Sequence, residues 1–170
     1  MEGARASSDV RAAPCGDDAE LQGEDVRLIE LFFFAYRDFI ADPDRLLACD
    51  GFGRPHHRVL HFASRSPGMS VARLLEILSI TKQSLGPVLR DLIEGGHLEQ
   101  RPNEQDRRQR LLYVTPKGRA LVQHLTRLQA VRMNRALEAV ADEGGGRETV
   151  ERFLFAMIDP AERRFLERTA

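Results

Sequence analysis

The sequence predicts a mainly α-helical fold that carries one small β-hairpin, and three observations lead to this prediction. Apolar residues recur at helical spacing along most of the chain that follows Gly23. The segment Asp106–Gly118 has another pattern, an arginine-rich turn, a short apolar strand and a Thr-Pro helix start. Just before it, a short helix capped by Ser70 is followed by a helix capped by Thr81. Together these features predict a winged helix-turn-helix with N- and C-terminal dimerisation helices.

The distribution of charge is more informative than its sum. The 170 residues are 42% hydrophobic and 30% charged, as in a soluble globular protein, and their formal net charge is −1. However, Met1–Asp25 carries seven acidic and two basic side chains, whereas Arg101–Arg119 carries six basic and two acidic ones. Because a phosphate backbone responds to the local field, the basic segment is a candidate nucleic-acid surface.

The first 23 residues predict a disordered acidic arm, since they are rich in Ala, Gly, Ser and Asp and have little to bury. No apolar signal segment is visible, and the longest apolar stretch, Leu28–Tyr36, is far too short to cross a bilayer. The two cysteines, Cys15 and Cys49, form no CxxC pair. We therefore expect a cytoplasmic protein without a disulfide framework.

Residues 24–52 predict an N-terminal dimerisation helix and a linker. The helix is expected over Glu24–Ala41, and Asp42-Pro43-Asp44 is expected to end it. Its apolar residues lie on nearly all sides, so the helix must be covered on more than one side. In a chain of this size, a second subunit is the expected cover.

Residues 53–118 predict the DNA-binding domain, with three helices and then the hairpin. The helices are expected over Pro55–Arg65, from Ser70, and from Thr81 to Glu94, where Gly95-Gly96 stops the last one. The strands are expected over His97–Arg101 and Arg110–Val114. Residues 119–170 predict C-terminal dimerisation helices, interrupted by Gly144–Gly146 and bent or broken at Pro160.

The polar residues at the start of the predicted recognition helix are candidates for DNA contact, since that end of the helix meets base edges in the major groove. They are Thr81, Lys82, Gln83 and Ser84. Pro87 lies inside the same helix and is expected to kink it, to shift its start or to alter the face that it offers to bases. Arg107 and Arg108 form the tip of the wing, where planar guanidinium groups suit phosphates and narrow minor grooves. The plainer alternative is a capped helix start and a solvated charged loop.

The spacing of His57 and His61 can bind a transition metal, and His56 and Cys49 lie nearby in sequence. However, no HExxH glutamate lies between the two histidines, and no third ligand is fixed by a pattern. We therefore expect no metal and no other cofactor, and we interpret this helix face as packing at a junction. A GxSxG turn, a P-loop and a carboxylate–metal set are also missing from the sequence, so we do not expect an enzyme.

The sequence resembles the MarR family of bacterial transcription regulators. The family's wing pattern is matched by Asp106, Arg108, Leu112, Val114, Thr115 and Gly118, with Val114 as a mild departure. Thr81–Ser84 and His57–Leu60 resemble the family's recognition-helix start and second helix. The seven residues from Phe33 and the five from Thr81 are most similar to its PetP-like branch.

This resemblance implies a homodimeric repressor on a pseudo-palindromic operator whose half-sites lie roughly 10 base pairs apart. It implies that Arg108 enters the minor groove and that Asp106 holds its guanidinium. It also implies a small-molecule pocket, and the candidate lining residues are Tyr36, His57 and His61. Some relatives sense peroxides through a cysteine in the first long helix, where this chain has phenylalanines instead.

Other functions remain open at this point. The protein could be a constitutive activator or an architectural DNA-binding protein without a ligand, and a signal-dependent DNA affinity would separate these from a ligand-responsive repressor. A metal- or redox-sensing regulator is a further alternative. The last is a protein-interaction module, against which salt-sensitive DNA binding would count.

Overall fold

The computed structural model describes residues 23–141 and 146–167. The predicted arm, residues 1–23, thus lies outside the described residues except for Gly23. Seven helices and three strands form the described part of the chain, in the order α1 (Gly23–Ala48), α2 (Arg54–Arg65), β1 (Met69–Ser70), α3 (Val71–Leu78), α4 (Lys82–Glu94), β2 (Leu98–Pro102), β3 (Arg110–Val114), α5 (Pro116–Val140), α6 (Arg147–Met157) and α7 (Pro160–Glu167). The fold is therefore mainly helical with a small sheet, as predicted.

The first helix is longer than predicted, because α1 continues through Pro43 to Ala48. Ile40, Pro43 and Leu47 lie on one face of the helix and are all buried. A proline inside a helix costs about 3 kcal/mol. Burying one large apolar side chain contributes about 1.5–3 kcal/mol. Burial of Ile40 and Leu47 on either side of the proline therefore offsets its cost, which is why Asp42-Pro43-Asp44 does not end the helix.

The hydrophobic core is formed by α2, α3, α4 and the sheet. Its largest completely covered side chains include Leu60, Leu74, Leu92 and Leu112. The predicted inner face of α4 is confirmed, since its four apolar residues are all buried: Leu85, Val88, Leu89 and Leu92. The helix-turn-helix and the wing thus share one core, which fixes the position of α4.

The sheet has three antiparallel strands in the order β1-β3-β2. Strands β2 and β3 form the predicted hairpin, in which Leu98 pairs with Val114 and Pro102 pairs with Arg110. Strand β1 was not predicted, because two residues are too short to show alternation. It follows Gly68, whose φ of +80° favours glycine and whose N–H donates to the carbonyl of Leu112 at 2.9 Å.

The C-terminal part of the chain contains the long helix α5 and two shorter helices. Pro160 separates α6 from α7, as expected, and Arg163 donates to the carbonyls of Ile158 and Ala156 at 3.1 Å each. The predicted interruption at Gly144–Gly146 lies outside the described residues except for Gly146, which precedes α6. Among the described helices, none is both long and apolar enough to cross a membrane.

Candidate nucleic-acid interface

The start of α4 is built as predicted, with Thr81 as its cap. The Thr81 hydroxyl accepts a hydrogen bond from the backbone N–H of Ser84 at 3.2 Å and lies 3.0 Å from the Ser84 hydroxyl. This satisfies one of the free donors at the helix start. The side chains of Lys82 and Gln83 are exposed, and no described residue forms a hydrogen bond or an ion pair with them. These two side chains are therefore free for an external partner.

The exposed face of α4 continues beyond its first turn. Gln83, Pro87 and Arg90 follow one another at helical spacing on the side opposite the buried leucines. Pro87 neither ends the helix nor shifts its start, since α4 runs without interruption to Glu94. Because proline has no N–H, the backbone carbonyl of Gln83 lacks its usual helical donor. Sequence reasoning did not include Arg90, although its spacing from Gln83 could have indicated it.

The C-terminal end of α4 is held by the beginning of α5. The Thr115 hydroxyl donates to the carbonyl of Gly96 at 2.7 Å, and the Lys117 ammonium donates to the carbonyl of Gly95 at 2.8 Å. Gly118 packs so closely that a β-carbon there would collide with the carbonyl oxygen of His97 and approach Val114 Cγ1 to 2.7 Å. These contacts fix α4 relative to the strands of the hairpin.

The tip of the wing is a loop ordered by its own polar groups. The backbone N–H groups of Asn103 and Gln109 donate to the carbonyls of Gln109 and Asp106, at 3.1 and 2.9 Å. The Asn103 amide also donates to the Gln109 side chain at 3.3 Å. Arg107 and Arg108 lie at the turn, and both are exposed. The hairpin therefore presents two guanidinium groups to solvent on an ordered loop.

Asp106 makes a different contact from the one that the resemblance implied. Its carboxylate accepts a hydrogen bond from the backbone N–H of Arg108 at 3.0 Å. Within the described ranges, no ion pair joins Asp106 to the guanidinium of Arg108. A short aspartate side chain readily binds the backbone two residues on, and this local contact competes with a longer-range ion pair. In this structure Asp106 thus orders the turn that carries Arg108 and leaves the guanidinium unpaired.

The basic segment divides into paired and unpaired charges. Arg101 lies 4.5 Å from the centre of the Tyr113 ring and pairs with Glu99 at 2.5 Å, while Arg119 donates to the carbonyl of Val114 at 2.8 Å. By contrast, a further group of basic side chains forms no hydrogen bond or ion pair with any described residue. This group comprises Lys82, Arg90, Arg107, Arg108 and Arg110. Five basic side chains on α4 and the wing are therefore available to an external anion.

A groove of about 460 Å³ separates α4 from the wing. Lys82 and Gly86 line it from α4, and Arg108 and Arg110 line it from the hairpin. Apolar side chains, among them Val71 and Leu75 from α3, complete its walls. The sequence did not indicate this groove, because its two sides are more than twenty residues apart in the chain.

A second cavity brings together the three predicted pocket residues. Tyr36, His57 and His61 line a space of about 300 Å³ between α1 and α2, together with Asp44 and Arg54. The guanidinium of Arg54 donates to one oxygen of Asp44 at 2.8 Å, whereas the other, Oδ1, is buried and has no hydrogen-bond partner among the described residues. An unpaired buried carboxylate oxygen is costly. The cavity thus holds an acceptor that lacks a donor.

The two histidines of this cavity favour their neutral forms. Burial lowers the pKa of His57, and the nearby His61 adds to this effect while Asp44 opposes it. Burial likewise lowers the pKa of His61, with a smaller contribution from Arg65. Both imidazoles are therefore less basic than a free histidine, and they are neutral hydrogen-bonding groups at neutral pH.

The residues considered for a metal or a redox centre lie in separate environments. His56 stacks on Phe52, and its Nδ1 accepts a hydrogen bond from the N–H of Gly53 at 3.0 Å. Its Nε2 lies 3.1 Å from a carboxylate oxygen of Asp91, so both ring nitrogens of His56 have partners other than His57. In the part of the chain that the structure describes, no three His, Cys, Asp or Glu side chains form a group that could hold a metal ion. Cys49 is exposed, and Cys15 lies outside the described residues.

Comparison with known proteins identifies the family to which this sequence is similar. The profile of the MarR family matches residues 50–109. The chain is 47% identical over 138 residues to the HTH-type transcriptional regulator PetP of Rhodobacter capsulatus, a match that covers 80% of this chain and 81% of that protein. The predicted similarity to the PetP-like branch is thereby confirmed.

Solved structures show the same fold at low sequence identity. One is Streptococcus pneumoniae FabT in complex with DNA, with a TM-score of 0.65, 19% identity and coverage of 78% of this chain and 99% of that one. Another is the transcriptional repressor CouR bound to a 23-mer DNA duplex, with a TM-score of 0.61, 23% identity and coverage of 81% and 92%. The winged helix-turn-helix predicted from the sequence is confirmed.

Proposed function

The chain belongs to the MarR family of transcriptional regulators, and from that premise we propose that it represses transcription as a homodimer bound to a pseudo-palindromic operator. The observation that carries the proposal is the set of unpaired basic side chains on α4 and the wing. Lys82 lies at the N-terminal end of α4, where base edges and phosphates are contacted, and Arg108 lies at the wing tip. FabT and CouR, which share the fold, were solved with DNA bound.

The homodimer is supported by exposed apolar side chains in the terminal helices. In the single chain, Leu28 and Phe33 of α1 are 62% and 66% exposed, and Phe153 and Met157 of α6 are 56% and 55% exposed. A soluble chain rarely leaves such surfaces open to water. A second subunit with the same exposed helices would cover them, and two copies of α4 would then read the two half-sites.

Repression follows from occupancy. A dimer that holds an operator within a promoter excludes the transcription machinery, and no catalysis is required. Residues 53–118 supply the DNA contacts in this proposal, and residues 24–52 and 119–170 supply the dimer. Thr81, Lys82, Gln83 and Ser84 face the major groove, Arg107 and Arg108 face the minor groove, and Asp106 keeps the turn in shape.

The experiment is DNA binding by purified full-length protein, measured by fluorescence anisotropy across a salt series. The probe is a duplex selected from a random library, and a scrambled duplex is the competitor. We expect saturable binding by two subunits per site that survives the competitor. Arg108→Ala should weaken binding on the order of tenfold and reduce the slope of affinity against salt, because one charge contact is lost.

An arginine on α6 provides the matched control for this test. Arg152 is exposed, and the described residues give it no hydrogen bond or ion pair. Arg152→Ala removes the same charge outside the proposed DNA contacts and, with the dimer checked by sedimentation, should leave the affinity unchanged. If Arg108→Ala bound DNA as tightly as this control, the wing would not contact DNA. Absence of any DNA binding at low salt would contradict the proposed repression by operator binding.

A small-molecule effector is the second part of the proposal. The cavity lined by Tyr36, His57 and His61 has aromatic walls, two neutral imidazoles and the unpaired Oδ1 of Asp44. This chemistry suits a small ring compound that carries a hydrogen-bond donor. Such a ligand changes DNA affinity only if it binds the DNA-competent and the incompetent state differently.

The effector is tested by thermal melting with paired probes. Benzylamine and benzoate present the same ring with a donor or with an acceptor. We expect the amine to raise the melting temperature of the wild-type protein more than the acid does, and Asp44→Asn to remove that difference. Equal shifts for both probes, or none, would contradict this assignment of the cavity.

A further inference from the structure

Helix α7 turns back from the C-terminal end of the chain onto the helix-turn-helix. The ring centre of Phe165 on α7 lies 4.5 Å from the guanidinium carbon of Arg73 on α3. The guanidinium of Arg164 lies over the same ring at 4.9 Å. Arg73 also pairs with Glu76 at 3.0 Å, which restrains its guanidinium. A planar guanidinium and an aromatic ring attract each other, so α7 makes a specific contact with α3.

A cavity of about 650 Å³ lies beneath α7, beside this contact. Ile158 and Leu166 line it from the C-terminal helices, and Phe62 and Ile77 line it from α2 and α3. Side chains that face a cavity have no packing partners on that side. The attachment of α7 to the DNA-binding domain therefore depends on a few side chains, and Phe165 is one of them.

The elbow between α6 and α7 is held by Arg163. Its guanidinium donates to the carbonyls of Ile158 and Ala156 at 3.1 Å each and lies over the ring of Phe155 at 4.9 Å. These contacts join the start of α7 to the end of α6. A displacement of α6 is therefore passed on to α7, and through Phe165 to α3.

The chain enters and leaves the DNA-binding domain at neighbouring points. Phe52, two residues before α2, packs edge-on against His97 with ring centres 5.1 Å apart. The His97 carbonyl accepts a hydrogen bond from the backbone N–H of Thr115, the cap of α5, at 3.1 Å. Two connections that lie so close together act as one pivot. The domain is held in a fixed orientation only if its far side is held as well.

Helix α7 reaches that far side. The cavity beneath it is lined by Phe62, Ser64 and Arg65 from the C-terminal part of α2, whereas the pivot lies at the N-terminal end of the same helix. A helix of 12 residues is about 18 Å long. The contact between Phe165 and Arg73 is therefore well separated from the pivot and opposes rotation about it.

We propose that α7 braces each DNA-binding domain against the C-terminal dimerisation helices, and that Phe165 and Arg73 thereby determine how strictly the protein selects the spacing of its two half-sites. The inference rests on the homodimer and the operator proposed above. Each base pair added between the half-sites moves one of them by about 3.4 Å and turns it by about 35° around the duplex axis. A braced domain cannot follow that movement, whereas a domain on a single pivot can.

The test compares the library-selected duplex with two derivatives that have one base pair inserted or deleted between the half-sites. The wild-type protein should lose affinity steeply on both derivatives. Phe165→Ala should reduce that loss by about fivefold, the scale of one ring–guanidinium contact, and should change the affinity for the selected duplex much less. A variant that only unfolds more readily would weaken on all three duplexes alike and keep the wild-type ratio.

Two further variants test the contact itself. Phe165→Tyr retains the ring and is the matched control, so it should keep the wild-type ratio. Arg73→Lys retains the charge near Glu76 but loses the planar group, so it should act as Phe165→Ala does. The double variant should go no further than either single one, because both remove the same contact. Sedimentation checks that every variant is a dimer.

Several outcomes would overturn the brace. They are an unchanged ratio in Phe165→Ala, additive effects in the double variant, and equal binding of all three duplexes by the wild-type protein. Monomers in Phe165→Ala would also overturn it, because they would place α7 in the dimer interface instead. Failure of the wild-type protein to bind the selected duplex would reject the proposed function on which the inference rests.

Discussion

Gly118 marks a point where two parts of the fold approach each other closely. It lies against the carbonyl of His97 and the side chain of Val114, which leave no room for a β-carbon. Gly118 also explains in physical terms why the wing pattern of the sequence ends with glycine.

Gly118→Ala should destabilise the folded protein. The new β-carbon would collide with backbone, which must shift, so we expect the free energy of unfolding to fall by about 2–3 kcal/mol. Urea denaturation followed by circular dichroism measures the change. Gly146→Ala is the comparison, because a β-carbon there meets no described atom within 4 Å apart from its chain neighbours. An unchanged unfolding midpoint for Gly118→Ala would show that the junction between α4 and α5 is looser than the structure has it.

The histidines of the α1–α2 cavity should make stability depend on pH. Burial lowers the pKa values of His57 and His61 from the usual 6.5. The unfolded chain therefore binds more protons than the folded chain once the pH falls to about 6.5 and below. The free energy of unfolding should decrease as the pH is lowered from about 7 to about 5. Urea denaturation across this range measures the profile.

The double variant His57→Gln/His61→Gln removes both titrating groups from that profile. Its loss of stability on acidification should be smaller than that of the wild-type protein. Identical profiles for the two proteins would show that the buried imidazoles do not contribute.

Single residues were predictable from the sequence where a local pattern fixes them. The position of Thr81 before an apolar repeat predicts a helix cap, and the structure has the expected hydrogen bond. The Asp44 acceptor was not predicted, because its environment depends on Arg54 from the following helix. The contact of Asp106 with the Arg108 backbone depends on the exact turn, which the sequence does not specify.

At the scale of elements, α4 combines an ordinary inner face with an unusual outer one. Its buried face follows the helical repeat, whereas Gly86 and Pro87 on the exposed side both disfavour a helix. Local conflicts of this kind concentrate at functional sites, because the fold is stabilised elsewhere. The exposed side of α4 therefore reflects its contacts outside the chain more than the needs of the helix.

Pro87→Ala should stabilise the protein and change what it recognises. The substitution restores the hydrogen bond to the Gln83 carbonyl, so we expect the free energy of unfolding to rise by about 1–3 kcal/mol. Pro116→Ala is the matched control, since Pro116 occupies the first position of α5, where proline is favoured. That variant should gain no stability.

The sequence preference of the Pro87→Ala variant is measured by selection from a random duplex library. Because Pro87 lies on the exposed face of α4, we expect the selected sequences to differ from those of the wild-type protein. Selection of the same sequences would place Pro87 outside the base-reading surface.

Most elements were predictable because their boundaries carry strong local signals. Ser70, Thr81 and Thr115 each cap the helix that follows, and Gly95-Gly96 ends α4. The exceptions arise from tertiary contacts. Helix α1 passes through Pro43 because its neighbours are buried, and β1 exists only because Met69 and Ser70 pair with β3.

At the scale of the whole molecule, the terminal helices carry apolar surface that a single chain leaves exposed. Truncation after Ala141 should remove the α6 contribution to the dimer and yield monomers or aggregates, because part of the apolar interface is lost and the rest is exposed. Sedimentation velocity measures the assembly. Removal of residues 1–22 is the control and should leave the dimer intact. A truncated protein that remains a soluble dimer would exclude α6 and α7 from the interface.

The sequence predicts the basic segment but not the groove between α4 and the wing. Six basic residues lie between Arg101 and Arg119 in the sequence. Only the fold shows that Arg101, Lys117 and Arg119 have partners within the chain, and that Lys82 from α4 lines the same groove as Arg108 and Arg110. Pairing in space, and not density in sequence, decides which charges are free.

The attachment of α4 to the start of α5 has a consequence for protein engineering. Thr115 and Lys117 donate hydrogen bonds to the carbonyls of the two glycines that follow α4, and Gly118 permits the close approach. The recognition helix and the start of α5 are therefore joined as one rigid unit. Grafting only the helix from another regulator would leave these attachment points mismatched. A transplant that retargets this protein should carry residues 81–118 as a single cassette.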